Sequence, residues 1–231
     1  MSSNDKIVVL SGAGMSAESG IKTFRDNDGL WNNHRVEEVA TPEAWAADME
    51  LVLEFYNQRR KQLYECEPNP AHYALADLQE KYDVQIITQN VDDLHERAGS
   101  EHVLHLHGEL KKVRSVLDPD YVIELDGWEL KAGDTCPEGG QLRPHIVWFG
   151  EPVPNISGAA EIARTADIMM VIGTSMQVYP AAGLIHYPPL ESTKYYIDPS
   201  ANENSMVENL TVIREKAGKG VPELVKKLLN K

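Results

Sequence analysis

The residues suited to chemistry fall in a few short stretches. Gly12-Ala13-Gly14 follows an apolar run at 7–10 and leads into small and polar residues as far as Gly20. A Gly-x-Gly turn after a strand lets the backbone approach a phosphate, and a helix opening there would add the positive end of its dipole. The same residues also fit an ordinary strand-to-helix turn. Gln89-Asn90-Val91-Asp92 ends a β-branched run, Gly173-Thr174-Ser175 ends an apolar one, and Asp198 ends Tyr195-Tyr196-Ile197. His107 stands before a glycine, and imidazole can serve as a base near neutral pH. His105 lies two residues back on the same strand face, so periodicity does not choose between them. Tyr56 and Arg59 are three apart and share one helix face. That spacing alone fits a solvated face with a snorkelling arginine.

These residues need elements to hold them. The pattern predicts a helix opening at Thr41, with Pro42 at its first position, and continuing over 50–64. Further helices are expected over 71–82, 94–98, 157–165, 180–186 and 221–229. Strands are expected over 84–88, 103–108, 121–125, 143–151, 167–172, 194–197 and 211–213. Turn formers make 26–33 a long loop. Strands alternating with helices predict an α/β fold with a doubly wound parallel sheet. In such a sheet the strand ends named above share one edge, where ligands bind. Together they make a nucleotide site the leading reading. Asp198 is placed to accept a ribose hydroxyl. It lies far more than the roughly twenty residues beyond the glycine turn that the dehydrogenase fingerprint requires, which weakens that class.

Composition narrows the classes further. The chain has 231 residues, 42% of them hydrophobic, enough for a substantial core. Its net charge of −14 argues against a nucleic-acid binder. No apolar run reaches membrane-spanning length, and 1–6 is polar, unlike a signal peptide. The two cysteines, Cys66 and Cys136, imply no disulfide framework. A cytoplasmic monomer with no nucleic-acid or membrane partner is expected.

Read together, Gly-Ala-Gly-x-Ser-x-x-Ser-Gly-Ile-x-x-Phe-Arg from Gly12, Thr88-Gln89-Asn90-Val91-Asp92, His107-Gly108 and Gly173-Thr174-Ser175 resemble the sirtuin family of NAD-dependent protein lysine deacylases. The motifs span nearly the whole chain, and Asp28-Gly29-Leu30-Trp31 and His107-Gly108-Glu109-Leu110 look most like bacterial members. The resemblance implies a Rossmann-like NAD-binding domain over 1–29, 69–108 and 146–231. It also implies a smaller domain made of a helical insertion at 30–68 and a degenerate zinc-ribbon-like insertion at 109–145. NAD would be a co-substrate, with pyrophosphate at Gly12, Ala13, Gly14 and Ser16. Gly20, Phe24, Arg25 and Trp31 would complete the cofactor loop. Asn90 and Asp92 would hold the nicotinamide end, and Gln89, Val91, Gly173, Thr174, Ser175, Tyr196, Ile197, Asp198 and Ala217 would also bind the cofactor. His107 would be the general base. An acylated lysine peptide would pair as an extra strand with Val147, Trp148, Phe149, Gly150 and Glu151.

One branch of the family carries a Tyr-x-x-Arg pair at the acyl pocket. Tyr56 and Arg59 match it, which implies removal of succinyl and malonyl groups besides acetyl. The implied products are nicotinamide, free lysine and O-acyl-ADP-ribose. A mono-ADP-ribosyltransferase and a non-catalytic NAD- or ADP-ribose-binding module are the alternatives.

The chain departs from the family at several places. Most sirtuins hold a structural zinc with two Cys-x-x-Cys pairs. Here Cys136 is the one cysteine of that region, Val113-Arg114-Ser115-Val116-Leu117-Asp118 stands at the position of the first pair, and His145 is the nearest histidine. No structural zinc is expected, and carboxylates of Asp118, Asp120 or Asp134 suit harder ions. Packing of Leu117, Tyr121, Ile123, Leu125 and Trp128 is expected to hold the insertion instead. Lys22 replaces a common proline, and Tyr196-Ile197-Asp198 lacks a common asparagine.

Overall fold

A computed structural model describes residues 5–21, 34–202 and 206–230. Lys22, Phe24, Arg25 and Trp31 lie outside the described residues. Contacts group the chain into two units: Met1–Gly20, Glu67–Leu106 and Val153–Lys231 in one, Ile21–Cys66 and His107–Pro152 in the other. Among the described residues, no helix is long and apolar enough to cross a membrane.

The larger unit is built on a parallel sheet. β1 (Lys6–Ser11) lies between β2 (Asp83–Thr88) and β7 (Ile168–Ile172); β3 (Val103–His105) flanks β2, and β8 (Thr193–Ile197) and β9 (Leu210–Ile213) follow β7. The strand order reverses at β1, which makes the carboxyl ends of β1 and β7 the topological switch point. Successive side chains of a strand point to opposite faces. Ile7 and Val9 therefore join Leu75, Leu78, Val221 and Leu224 on one face, while Val8 and Leu10 join Ala159, Leu184 and Ile185 on the other. Helices α4 (Pro70–Asp77) and α7 (Ala217–Leu229) serve the first face and α6 (Ile156–Arg164) the second, while the short α5 (Leu94–Arg97) links β2 to β3. With both faces covered, the central strands read as unbroken apolar runs.

Several expected elements are shorter. The helix expected over 71–82 leaves α geometry after Asp77 and finishes as a 3-10 turn, Leu78–Glu80. The 180–186 helix is also 3-10. No helix follows the glycine turn: two 3-10 turns, Ala13–Met15 and Ala17–Ser19, take its place. Met15 and Ser16 donate to carbonyls three residues back, and Gly20 stops the chain with φ of +94°.

The smaller unit pairs helices with an antiparallel sheet. After the short α1 (Val36–Val39), helix α2 (Pro42–Ala47) begins as expected: Thr41 caps it by accepting the Ala44 N–H at 3.0 Å. The helix does not run on. Asp48 breaks it and caps α3 (Met49–Glu65) through the Leu51 N–H. β4 (Gly108–Ser115) is flanked by β5 (Val122–Glu124) and β6 (Leu142–Ile146). β6 runs opposite to β4 and stops at Ile146, so 146–152 falls in this unit rather than the larger one. The strand expected over 143–151 ends because Gly150 turns with φ of +90° and the Glu151 carboxylate takes the Trp148 N–H. Likewise the strand expected over 103–108 ends at His105.

Leu53, Val113, Leu130, Cys136 and Leu142 form the core of this unit, with Tyr121 and Leu125 packed against it. Leu117 and Ile123, expected inside, are exposed. Polar bonds supply the rest. Asn57 both donates to the Leu130 carbonyl and accepts the Leu130 N–H, each at 2.9 Å. Arg60, fully buried, donates to the carbonyls of Leu110 and Trp128 and to Asn57. Burial pushes its guanidinium down to about 10.

His72 and His95 lie in the larger unit with ring centroids 4.9 Å apart and edge to face. His72 Nδ1 accepts the Asn69 N–H, and His95 Nε2 meets the Ser11 hydroxyl at 3.0 Å. Burial pushes His72 down to about 4 and His95 well below its ordinary value. The unfolded chain takes up these protons near pH 6.5, the folded one only at much lower pH. Stability is therefore full above about pH 6.5 and is lost as pH falls toward 4, with His72 alone accounting for about 3 kcal/mol at pH 4. The urea midpoint should fall over that window, and His72→Gln should flatten the slope; an unchanged slope would contradict the assignment.

Candidate functional site

The carboxyl ends of β1, β2 and β7 hold a buried polar network. Gly12 donates to the Ile172 carbonyl at 2.9 Å and Gly14 to the Gly173 carbonyl at 2.8 Å, so the β1 and β7 loops are joined backbone to backbone. A Cβ at Gly14 would meet Gly173 Cα at 2.8 Å, and one at Gly173 would meet Met15 N at 2.3 Å. Gly173 also needs its φ of +61°. These glycines are thus required by loop-on-loop packing before any ligand arrives. The amides of Gly12, Gly14, Met15 and Ser16 are engaged within the protein, and the segment forms 3-10 turns in place of the expected helix start.

Ser16 is the hub. Its hydroxyl accepts from Asn90 Nδ2 at 3.0 Å and donates to the Asp92 carboxylate. All three side chains are buried. Burial raises the Asp92 carboxyl above its ordinary value, and the bonds from Ser16 and the Leu94 N–H partly offset that rise. Gln89 reaches the Thr174 hydroxyl at 3.2 Å, and the Tyr196 hydroxyl donates to the Thr174 carbonyl at 2.9 Å. The strand ends at 89–92, 173–175 and 196 are therefore tied together. Asp198 accepts the Ser200 N–H at 2.8 Å, which closes its own turn. Ile197 points into the core. Ala217 opens α7, whose Gly218 N–H is taken by Glu18 at 2.7 Å. Gly20 and Val91 carry no hydrogen-bonding side chain.

The two histidines separate here. His105 is buried, with Nδ1 3.1 Å from the Asn90 carbonyl and Nε2 2.7 Å from Glu96. Both its nitrogens face protein oxygens, and its carbonyl receives the Asn155 amide N–H. His107 is half-buried, stands in the turn between β3 and β4, and accepts the Val147 N–H on its carbonyl at 2.9 Å.

In the smaller unit, the Tyr56/Arg59 face is not solvated: both side chains are buried. Arg59 lies over the Phe55 ring at 5.8 Å. Tyr56 accepts the Trp148 indole N–H at 3.0 Å. Glu151 binds Arg143 and Arg114 and so fixes the 147–151 turn. Phe149 and Gly150 are exposed on that turn, and Val147 is half-buried.

Sequence reasoning missed Asn69, Ser11, Asn57 and Arg60. Asn69 caps α4 and donates to the Met15 carbonyl at 2.8 Å, which anchors the glycine loop. A polar residue between two prolines was the available signal. Ser11 joins Thr88 and His95 across β1 and β2, a contact that only the strand pairing reveals.

A six-stranded parallel sheet with this order reversal and polar residues at the switch point defines a Rossmann-like nucleotide-binding protein. Residues 12–180 match the Sir2 family, and the chain belongs to that family. It is 54% identical over 228 residues to an NAD-dependent protein deacylase of Bacteroides thetaiotaomicron, covering 96% of this chain and 97% of that one. It is 53% identical over 225 residues to an NAD-dependent protein deacylase of Helicobacter pylori, again covering 96% and 97%. Among solved structures, a Sir2 homologue in complex with NAD superposes with a TM-score of 0.88 at 40% identity, covering 98% of this chain and 90% of that chain.

The structural zinc common in sirtuins finds no fitting donor set here. Cys136 Sγ accepts from the Ser115 hydroxyl at 3.2 Å and from the Gly140 N–H at 3.3 Å. Ser115 Oγ in turn accepts the Leu117 and Asp118 N–H groups. One thiol and one hydroxyl do not make a tetrahedral thiolate site. Among the described residues, no group of three or more His, Cys, Asp or Glu side chains is placed to hold a metal. Elemental analysis of purified protein should find well under one zinc per chain, and a chelator should leave the melting temperature unchanged. Stoichiometric zinc would contradict the hydrogen-bonded account of this module.

Proposed function

We propose that this chain removes acyl groups from protein lysines using NAD as co-substrate, with preference for the acidic succinyl and malonyl groups over acetyl. Membership of the Sir2 family and the deacylase relatives support the reaction class. One observation carries the acyl preference: Tyr56 and Arg59 are both buried on one face of α3. A guanidinium withdrawn from water suits a carboxylate through its forked donors.

In this reading NAD meets the strand ends around Ser16, Asn90, Asp92 and Thr174. The acyl oxygen attacks the ribose C1′ as the bond to nicotinamide breaks, and a dry, preorganised polar site stabilises the developing oxocarbenium ion. His107 takes the proton of a ribose hydroxyl, whose oxygen then attacks the imidate carbon. Water completes the release of lysine and O-acyl-ADP-ribose. A Sir2 protein carrying a deacetylated p53 peptide and 3′-O-acetyl ADP-ribose is a structural neighbour at 27% identity with a TM-score of 0.78. That precedent supports a peptide substrate and an O-acyl product here.

The test is nicotinamide release from NAD with succinyl-, malonyl- and acetyl-lysine peptides. Release should depend on the peptide and be fastest with the acidic acyl groups. His107→Ala should lower turnover by about 100-fold or more, the range of a general base. NAD cleavage indifferent to acyl peptide would overturn the deacylase reading. An acetyl preference would overturn the carboxylate role of Tyr56 and Arg59.

A further inference from the structure

The Tyr56 hydroxyl is held in an unusual half-bonded state. It accepts the Trp148 indole N–H at 3.0 Å, with the Trp148 side chain 2% exposed and the Tyr56 side chain fully buried. A phenol has one proton to donate, and among the described residues no acceptor takes it. The charged groups acting on it are Arg59 and Arg143, which only donate, and Glu151. The Glu151 carboxylate is already bonded to Arg143, Arg114 and the Trp148 N–H. Burial pushes the Tyr56 phenol well above its ordinary value, so it stays protonated across the working pH range.

Trp148 is itself clamped. The Arg143 guanidinium stacks on its ring at 3.3 Å, the Trp45 ring packs 5.7 Å away, and its backbone is tied to Glu151 at 2.8 Å. A rigid donor thus occupies the acceptor side of Tyr56 and leaves the O–H pointing to whatever acceptor enters.

We infer that Trp148 is a specificity-determining positioning residue: its indole N–H orients the Tyr56 hydroxyl as a donor to the carboxylate of an acidic acyl group. This rests on the reading of Tyr56 and Arg59 as the acyl-carboxylate pocket. An acetyl group presents no such acceptor, so the indole N–H discriminates between acyl classes, whereas the bulk of the ring serves both. The backbone around Trp148 serves the peptide, and the indole nitrogen serves the acyl group.

The experiment is a double-mutant cycle of Trp148→Phe and Tyr56→Phe, read as the ratio of kcat/KM for succinyl- over acetyl-lysine peptides, with Arg59→Met as the pocket control. Trp148→Phe should lower that ratio about fivefold to tenfold, mainly through the KM for the succinyl peptide, the scale of one hydrogen bond. In the Tyr56→Phe background the same change should move the ratio by less than about twofold, because the group being oriented is gone. If Trp148→Phe fails to fold, benzothienylalanine at position 148 replaces the N–H with sulfur in the same ring shape and carries the same expectation. Equal losses for both peptides in both backgrounds would reduce Trp148 to packing and overturn the inference while leaving the pocket standing. A ratio unmoved by Tyr56→Phe and Arg59→Met would overturn the pocket itself, and the inference with it.

Discussion

The larger unit depends on one constraint: the loops after β1 and β7 must touch backbone to backbone at the switch point of the sheet. The Gly12 and Gly14 amides reach the carbonyls of Ile172 and Gly173, and no side chain fits at the contact. Once the loops are joined, Ser16 is fixed where it meets Asn90 and Asp92 from the β2 end. The polar side chains there are preorganised before a substrate arrives, which is the condition under which they stabilise developing charge most.

Buried polar groups do comparable work in the smaller unit. The insertion is tied to α3 through Asn57 and Arg60, and Ser115 and Cys136 bond to each other. Each of these buried hydrogen bonds is costly to break because its partner would be left unsatisfied.

The sequence made the sheet legible because its central strands are buried on both faces and read as apolar runs. The strand-end residues were legible because only a parallel sheet brings such distant polar stretches to one edge. Three things were not. The glycine turn reads as a helix start, yet bonds from Gly14, Met15 and Ser16 close it as 3-10 turns. The spacing of Tyr56 and Arg59 fits a solvated face, and only tertiary packing decides that it is buried. His105 and His107 share a periodicity, and the bonds of His105 to Glu96 and Asn90 separate them. In each case the deciding contact joins residues that pattern alone does not pair.

Calorimetric titration with NAD tests the central claim most directly, comparing the native chain with Asn90→Ala. The account predicts about a tenfold weaker Kd for the variant, the scale of one buried hydrogen bond lost from a preorganised network, with the melting temperature showing that the fold persists. An unchanged Kd in a folded Asn90→Ala variant would contradict the claim that the Ser16–Asn90–Asp92 network forms the NAD site.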